Sequence, residues 1–352
     1  MSEGEVTVLC VNAGSSTVKV ALFTVGVEAG DEQEVWRWDQ DGPGTGPIAA
    51  LAALGQAGMP VPDVVGHRVV HGGTSLTGPT FVDDGVLDEL RALIPLAPLH
   101  EPAAIAGIEA AQLQLAGVPQ VACFDTAFHR TLPEEAAHLP LPERFWRDGV
   151  RRYGFHGLSY EYVVEHVGAE QLGRAVIAHL GNGASLCAVR EGRSVDTTMG
   201  FTPTGGIVMG TRPGDLDPGI LVHLMSDGVG GPGLDRDALD RLVNHESGLL
   251  GLSGTSADMR ELLAARAAGD TSADLAIRVF CRRIRKQVGA YAAVLGGLDT
   301  LVFTGGIGEH ATEVRDEICT GLDFLEPFTV LVVATDEDRM IARHAAALLR
   351  RR

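Results

Sequence analysis

Short apolar runs bounded by small or polar residues recur along the chain and predict β-strands. These runs cover residues 6–11, 18–23, 64–70, 120–124, 175–179, 186–189, 300–303 and 329–333. Amphipathic helical patterns separate many of them, near residues 102–117, 158–167, 256–268 and 310–320. Strands that alternate with helices in this way predict an α/β fold.

The strongest helical pattern covers residues 272–296, where apolar side chains recur at steps of three and four and define one buried face. This face consists of Ile277, Phe280, Cys281, Ile284, Val288, Tyr291 and Leu295. The other faces carry several basic residues. We interpret them as a solvated surface rather than a binding patch.

A strand, a turn of small residues and a second strand occur twice, at residues 6–23 and 175–190. A third glycine-rich turn follows the strand that ends at Phe303. Such turns leave backbone N–H groups available for phosphate oxygens, and Lys19 supplies a point charge beside the first turn. The repetition predicts a nucleotide cleft built by two similar halves.

The composition narrows the class of protein. The chain has 352 residues, of which 45% are hydrophobic, enough for two domains with sizeable cores. With 46 acidic and 28 basic residues the net charge is −18, which argues against nucleic-acid binding. A phosphate or carboxylate site must therefore rely on local arginine, lysine or metal charge.

The cysteines and the first residues predict a soluble cytoplasmic protein. None of the five cysteines is paired at C-x-x-C spacing, so we expect reduced thiols in the core. They are Cys10, Cys123, Cys187, Cys281 and Cys319. The first residues are acidic, and no run approaches the ~18 apolar residues of a membrane span. We expect no processing and no membrane partner.

Seven motifs together resemble the acetate kinase family, and they follow one another in the family's order. They are Val11-Asn12-Ala13-Gly14-Ser15-Ser16, Gly66-His67-Arg68-Val69-Val70-His71-Gly72-Gly73, Phe124-Asp125-Thr126-Ala127-Phe128-His129, Arg152-Tyr153-Gly154-Phe155-His156-Gly157, His179-Leu180-Gly181-Asn182-Gly183-Ala184-Ser185, Met209-Gly210-Thr211-Arg212 and Phe303-Thr304-Gly305-Gly306-Ile307-Gly308-Glu309. Each motif alone is weak, but the series is specific.

The resemblance implies a fold within the sugar kinase, Hsp70 and actin superfamily. We expect two duplicated actin-like (ribonuclease H-like) domains with an ATP cleft between them. The first would comprise residues 1–127 plus a returning C-terminal helix at 338–352. The second, at 128–337, would bind nucleotide and form a homodimer.

The resemblance also implies a reaction: reversible phosphoryl transfer from ATP to acetate by direct in-line attack, giving acetyl phosphate and ADP. It implies Mg²⁺, with Mn²⁺ as an alternative metal. Such a reaction brings two anions together, so positioning and charge neutralisation dominate catalysis. Three alternatives stay open: a propionate or butyrate kinase, an actin-like or Hsp70-like nucleotide switch, and a different donor such as pyrophosphate.

By resemblance, Arg68 binds the acid's carboxylate, and His156 and Arg212 stabilise the transition state. An apolar pocket for the acid's tail is implied as well, lined by Val70, Leu99, Phe155 and Pro203. Asn12 and Glu337 would surround Mg²⁺. From the residues alone, Arg68 and Arg212 fit ion pairs, His156 fits a bonded core histidine, and Glu337 fits the first turn of a helix.

Two stretches are implied to bind the nucleotide. The phosphate side comprises Lys19, His179, Leu180, Gly181, Asn182 and Gly183. The adenosine side comprises Gly306, Ile307, Gly308, Glu309 and His310, together with Asp258, Met259 and Arg260. For these last three residues, helix capping or solvent exposure is the ordinary alternative.

Asp125 is a catalytic residue by resemblance, in an acid/base role. A short carboxylic acid has a pKa of about 4 to 5 and is already ionised at neutral pH, so no proton needs to be removed before attack. We therefore expect Asp125 to order Mg²⁺ or its waters.

Several positions depart from the family's usual residues. Glu101 stands where asparagine is usual and adds a charge near the predicted acid pocket. Tyr160 replaces histidine, and His310 replaces asparagine beside the nucleotide. The segment between Leu325 and Phe328 is also shorter than usual.

Overall fold

The computed structural model describes residues 4–13, 17–27, 30–41, 46–228 and 231–352. The first glycine turn, at residues 14–16, lies outside these ranges. The strands are β1 (Val6–Ala13), β2 (Thr17–Val25), β3 (Glu32–Asp41), β4 (Val64–Val69), β5 (Thr80–Phe81), β6 (Gln120–Phe124), β7 (Ala175–Leu180), β8 (Ala184–Arg190), β9 (Arg193–Thr197), β10 (Asp227–Gly228), β11 (Gly231–Pro232), β12 (Thr300–Thr304) and β13 (Thr329–Val332).

The helices are α1 (Gly46–Gln56), α2 (Asp84–Leu93), α3 (Glu101–Gln114), α4 (Glu134–Ala137), α5 (Glu143–Arg147), α6 (Gly157–Val167), α7 (Ala169–Leu172), α8 (Pro218–Met225), α9 (Arg236–Arg241), α10 (Gly248–Ser253), α11 (Met259–Ala267), α12 (Thr271–Leu295), α13 (Gly305–His310), α14 (Thr312–Cys319) and α15 (Glu337–Arg350). Short 3₁₀ turns cover Ile94–Leu96, Ala127–Thr131 and Asp323–Leu325, and a π-helical turn covers Leu242–Glu246.

The chain forms two compact units. Unit 1 comprises residues 1–130, 155–162 and 336–352, and unit 2 comprises residues 131–154 and 163–335. The predicted domain boundaries had assigned residues 155–162 to the second domain, whereas this segment packs in unit 1.

The main sheet of unit 1 has the order β3-β2-β1-β4-β6-β5. Its first three strands form an antiparallel meander, and β1, β4 and β6 run parallel. The parallel strands β1, β4 and β6 are almost entirely buried, as expected for strands covered on both faces.

The five-stranded sheet of unit 2 repeats this order as β9-β8-β7-β12-β13. Strands β7, β8 and β9 form the meander, and β7, β12 and β13 run parallel. Strand β7 thus corresponds to β1, and the predicted duplication is confirmed at the level of strand order and direction.

Helix α15 supplies much of one core cluster of unit 1. Its buried residues pack against residues of the central strands and of the hairpin β1–β2. They are Met340, Ile341, Ala342, Ala345 and Ala346. The small side chains let the helix lie close to the sheet. Because α15 follows β13 in the chain, a segment made after unit 2 completes the core of unit 1.

The core of unit 2 contains the long helix α12. All seven apolar positions that the periodicity placed on its buried face are buried. Asp270 caps its first turn by accepting hydrogen bonds from the N–H groups of Ser272 and Ala273. At the other end Gly296 adopts a left-handed conformation with φ of 74°, which terminates the helix.

The five cysteines carry free thiols, four of them buried and Cys319 half-buried, which agrees with the core role predicted for them. In the described ranges, no helix is long and apolar enough to cross a membrane.

Candidate functional site

Three polar side chains of unit 1 lie where adjacent parallel strands end. Asn12 is near the end of β1, Arg68 is near the end of β4, and Asp125 directly follows β6. The carboxyl ends of parallel strands in α/β sheets are the usual place for ligands. The strand order therefore brings together residues that are far apart in the sequence.

Arg68 is bonded on both sides of its guanidinium group. Nη2 and Nε donate to the two carboxylate oxygens of Asp125, at 2.7 and 3.2 Å. Nη1 donates to Oδ1 of Asn12 at 3.2 Å and lies 3.5 Å from Oε2 of Glu337. A bidentate arginine–carboxylate pair fixes both groups in orientation.

The first turn of α15 brings two more carboxylates to this place. Asp336 caps the helix by accepting a hydrogen bond from the N–H of Arg339. Nδ2 of Asn12 then lies 3.2 Å from Oδ1 of Asp338 and 3.4 Å from Oε2 of Glu337. We call the set Asn12, Arg68, Asp125, Glu337 and Asp338 the Arg68 cluster.

The Arg68 cluster holds more negative than positive charge. Burial opposes ionisation of Arg68, but Asp125 and Glu337 raise the pKa of Arg68 above its usual value. Burial raises the pKa of Asp125, while Arg68 opposes that shift. Burial also raises the pKa of Asp338, while Arg37, at 3.1 Å, opposes it. The Arg68 cluster contains three carboxylates and one guanidinium, so its charge favours the binding of a further cation.

His156 is attached to the Arg68 cluster through its backbone. Its N–H donates to the carboxylate of Asp125. The residue has a φ of 59°, the left-handed region that side chains rarely occupy. A Cβ atom on Gly157 would lie 2.1 Å from the carbonyl oxygen of Asp125, so only glycine permits this approach. Strained backbone of this kind is typical of functional sites.

The residues predicted to line the acid pocket are divided between the units. Val70 and Phe155 are buried in unit 1, and Leu99 of the same unit is half-buried. Pro203 is buried in unit 2. The ring of His71 meets the ring of Phe155 edge to face, with centroids 5.5 Å apart. An apolar wall thus follows the end of β4.

Unit 2 places a second group of predicted residues at one end of its sheet. His179 and Leu180 end β7, and the turn at residues 181–183 leads into β8. Gly305 begins α13 with a φ of 76°, and a Cβ there would lie 2.8 Å from the carbonyl oxygen of Leu180. The two glycine turns that the sequence singled out in this half therefore touch each other.

Arg212 is a buried cation of unit 2. Its side chain is 6% exposed, and Nη1 donates to the carbonyl oxygen of Pro203 at 2.6 Å. Within the part of the chain that the structure describes, it forms no ion pair with a carboxylate. Burial lowers the pKa of Arg212 to about 10. A desolvated guanidinium without a counter-ion is suited to an anionic ligand.

The remaining predicted nucleotide residues have ordinary structural roles as well. Asp258 caps α11 by accepting from the N–H of Arg260, and the two side chains form an ion pair. Met259 is buried. Oε1 of Glu309 accepts from the N–H groups of Gly305 and Thr335.

Lys19 is exposed on β2, directly opposite Asn12 in the strand ladder. Its neighbours at residues 14–16 are outside the described ranges. His310 ends α13, in line with its predicted place after the third glycine turn.

Sequence reasoning missed two residues of this region. Asp338 was not among the predicted site residues, and its contact with Asn12 spans 326 positions. Glu101 had been noted as a departure from the family, but its complete burial was not predicted. For Asp338, the run of three consecutive acids Asp336-Glu337-Asp338 was the available signal.

Comparisons with known proteins agree with the architecture. The model described as the Acetokinase family matches residues 59–327 of the chain. An acetate kinase from Methylocella silvestris is 43% identical over 401 aligned positions, which cover 97% of this chain and 98% of the relative.

Two solved structures are similar over nearly the whole chain. An acetate kinase from Porphyromonas gingivalis has a TM-score of 0.84 at 36% identity, covering 98% of this chain and 100% of that one. A propionate kinase from Francisella tularensis has a TM-score of 0.86 at 35% identity, covering 97% and 99%. The predicted resemblance and the duplicated actin-like fold are confirmed.

Proposed function

The chain belongs to the acetokinase family, and from this premise we propose that it is an acetate kinase. It transfers the terminal phosphoryl group of ATP to acetate, giving acetyl phosphate and ADP, in a reversible reaction. The observation that carries phosphoryl transfer is Arg212, a cation that is 6% exposed and forms no ion pair with a carboxylate among the described residues. Such a group favours an anion whose charge it neutralises.

The chemistry needs no proton transfer. A carboxylate oxygen of acetate attacks the terminal phosphorus in line, and the bond from that phosphorus to the bridging oxygen breaks. ADP leaves with the bonding electron pair. We assign His156 to donate a hydrogen bond to the transferring group and Arg212 to offset its charge.

Acetate binding is assigned to Arg68 and to its apolar neighbours. Asp125 orients the guanidinium, and Nη1 lies toward Asn12 and Glu337. We infer that the acetate carboxylate shares this guanidinium with Asp125. Val70 and Phe155, both buried, would contact the methyl group together with Leu99 of the same unit. The role of Pro203 in the pocket stays a prediction from the resemblance.

The Arg68 cluster is also suited to a divalent metal, because oxygen donors with excess negative charge favour hard cations. Asn12 and Glu337 would hold Mg²⁺, or Mn²⁺ in its place, and Asp125 would order its waters. No group of three or more acidic, histidine or cysteine side chains in the described chain has metal-binding geometry. Mg²⁺ needs only one or two carboxylates, since it keeps several waters. When bound, it neutralises phosphate oxygens.

ATP is assigned to the touching turns of unit 2. Residues 179–183 would follow the phosphates, and residues 306–310 with 258–260 would contact adenosine. Lys19 would add a positive charge for the phosphates. Homodimer formation and a cytoplasmic location, both implied by the resemblance, stay predictions. Light scattering of the purified protein tests the first.

The decisive experiment is ATP-dependent hydroxamate formation with formate, acetate, propionate and butyrate. We expect acetate to give the highest kcat/KM. Propionate should be poorer rather than excluded, because one methylene changes discrimination by only about 1–3 kcal/mol. A higher value for propionate or butyrate would reassign the substrate. No hydroxamate with any acid, alongside ATP binding, would identify a nucleotide switch instead. An Arg212→Met sample purified in parallel controls for contaminating kinases.

A further inference from the structure

Glu101 is a fully buried carboxyl group at the start of α3. It follows Leu99 and His100, so it comes two positions after a residue of the predicted acid pocket. Carboxyl groups are seldom completely buried unless they are paired.

One carboxyl oxygen of Glu101 is bonded and the other is not. Oε1 accepts from the backbone N–H of His71 at 2.7 Å. Oε2 is buried and has no hydrogen-bond partner among the described residues. Leaving a buried oxygen without a hydrogen-bond donor is costly, and the cost is greater when the oxygen is charged.

The contact with His71 connects Glu101 to the acid site. His71 follows Val70, and its ring meets that of Phe155. Nδ1 of His71 accepts from the N–H of Gly73 at 2.9 Å, so the neutral ring carries its hydrogen on Nε2. Glu101 is therefore hydrogen-bonded to the residue that directly follows Val70 and whose ring contacts Phe155, the two residues assigned to the acetate tail.

The hydrogen bond from the backbone N–H of His71 favours the Glu101 anion, whereas burial and the carboxylate of Asp125 disfavour it. The titratable side chains of the adjacent segments are His71, just after β4, His100, directly before α3, and Asp125, directly after β6. Asp125 is itself a carboxylate, and Arg68 is already paired with it. Burial, with a smaller contribution from Asp125, raises the pKa of Glu101 to about 8.

We propose, on the basis of the function assigned above, that Glu101 determines when the acid site accepts its substrate. The site binds the acetate anion while Glu101 is uncharged and excludes it once Glu101 is ionised. If Glu101 were ionised, its carboxylate and the acetate carboxylate would add two negative charges to that of Asp125. These charges would repel one another because water, which screens them, is excluded. Acetate binding and protonation of Glu101 thus favour each other.

The KM for acetate and the KM for ATP should depend differently on pH. Between pH 7 and 9.5, the KM for acetate of the unmodified protein rises about tenfold for each pH unit above the pKa of Glu101, because only the protonated fraction is competent. The KM for ATP stays constant. In Glu101→Gln, which is neutral at every pH, the KM for acetate stays flat across this range.

Calorimetry provides a readout that does not depend on turnover. Acetate is titrated into the protein at pH 8.5 in two buffers of different ionisation enthalpy. We expect proton uptake on binding in the unmodified protein and none in Glu101→Gln. Glu109→Gln, an exposed change on the same helix, is the matched control and should behave like the unmodified protein.

The results distinguish a failure of the role proposed for Glu101 from a failure of the assigned kinase activity. If acetate is phosphorylated but binds with equal affinity and no proton uptake at pH 7 and 9.5, Glu101 has no such role while the kinase activity stands. A rise of KM that persists in Glu101→Gln would also overturn the inference. Should Glu101→Gln not fold, Glu101→Asn and the unmodified protein alone decide it. If no acid is phosphorylated at any pH, the function itself fails.

Discussion

The carboxylate of Asp125 accepts two hydrogen bonds from the guanidinium of Arg68, at 2.7 and 3.2 Å. The two residues end neighbouring parallel strands, and the Asp125 side chain is only 1% exposed. An ion pair that is this buried orients its members but adds little net stability, since desolvation offsets the attraction. The pair is therefore better explained by its position at the site than by the stability of the sheet.

Removing one partner should be costly for that reason. Arg68→Met leaves Asp125 buried without a counter-ion, and we expect the free energy of unfolding to fall by about 3 kcal/mol. The double variant Arg68→Met, Asp125→Leu should recover most of this loss while staying inactive. Urea unfolding measures both. A double variant no more stable than Arg68→Met would show that the pair is not what the single change disrupts.

Asp125→Asn distinguishes metal ordering from proton transfer. We expect a lower kcat and an apparent Mg²⁺ affinity weakened by about tenfold, the usual effect of losing an outer-shell partner. Activity should return in part at high Mg²⁺ concentration and should not return on raising the pH. Recovery by alkaline pH at fixed Mg²⁺ would instead support an acid/base role.

Arg212→Met should separate stability from activity. The substitution removes a buried charge that has no carboxylate partner in the described chain, so the free energy of unfolding should stay the same or rise slightly. The kcat should fall by a factor of about 10²–10³, as for the loss of one electrostatic donor to a transition state. Thermal unfolding and the hydroxamate assay measure the two quantities. A loss of several kcal/mol would assign Arg212 a structural role.

Gly157→Ala should displace His156 from Asp125. The new methyl group would meet the carbonyl oxygen of Asp125 at 2.1 Å, so the backbone must move. We expect kcat to fall by at least about tenfold with a clear loss of stability. Gly55→Ala is the control: nothing lies within 4 Å of its Cβ position, and alanine in helix α1 should add about 0.5–1 kcal/mol. Equal effects of the two changes would contradict the tight approach.

His67 should make the protein acid-sensitive. Burial lowers the pKa of His67 to about 4, and Nε2 lies 2.7 Å from Oε1 of Gln120. The unfolded chain therefore binds the proton more tightly, and stability is lost as the pH falls from 6.5 toward 4.

Between pH 7 and 4.5, the unmodified protein should lose about 2–3 kcal/mol more than His67→Asn does. The measurement is urea unfolding at both pH values. His223→Asn, at an exposed histidine, should reproduce the loss of the unmodified protein. Parallel curves for the unmodified protein and His67→Asn would refute the assignment.

The strand pattern of the sequence was informative where strands are buried. All eight predicted strands exist, with ends shifted by a few residues. Five strands of the described chain were missed: the two-residue strands β5, β10 and β11, and the edge strands β3 and β9, which carry charged residues, as in Glu32–Asp41. Their pairing depends on the neighbouring strand rather than on their own hydrophobicity, so the sequence carries little signal for them.

The candidate site likewise contains some residues that local motifs reveal and some contacts that depend on long-range packing. Motifs located Arg68, Asp125 and His156, because these residues stand beside strand ends and glycines that local patterns reveal. The contact of Asn12 with Asp338 and the burial of Glu101 arise only when distant segments pack together. The apolar pocket stays a prediction from the resemblance, since buried leucine or valine side chains look alike whether they face a core or a substrate.

The position of α15 has a consequence for biosynthesis. Strand β1 leaves the ribosome first, yet the helix that covers its sheet and carries Glu337 and Asp338 emerges only after all of unit 2. Until α15 has been synthesised, the strands of unit 1 expose one apolar face to solvent. Nascent chains stalled before residue 336 should therefore bind holdase chaperones and resist proteases poorly, whereas release of the last helix should end both behaviours.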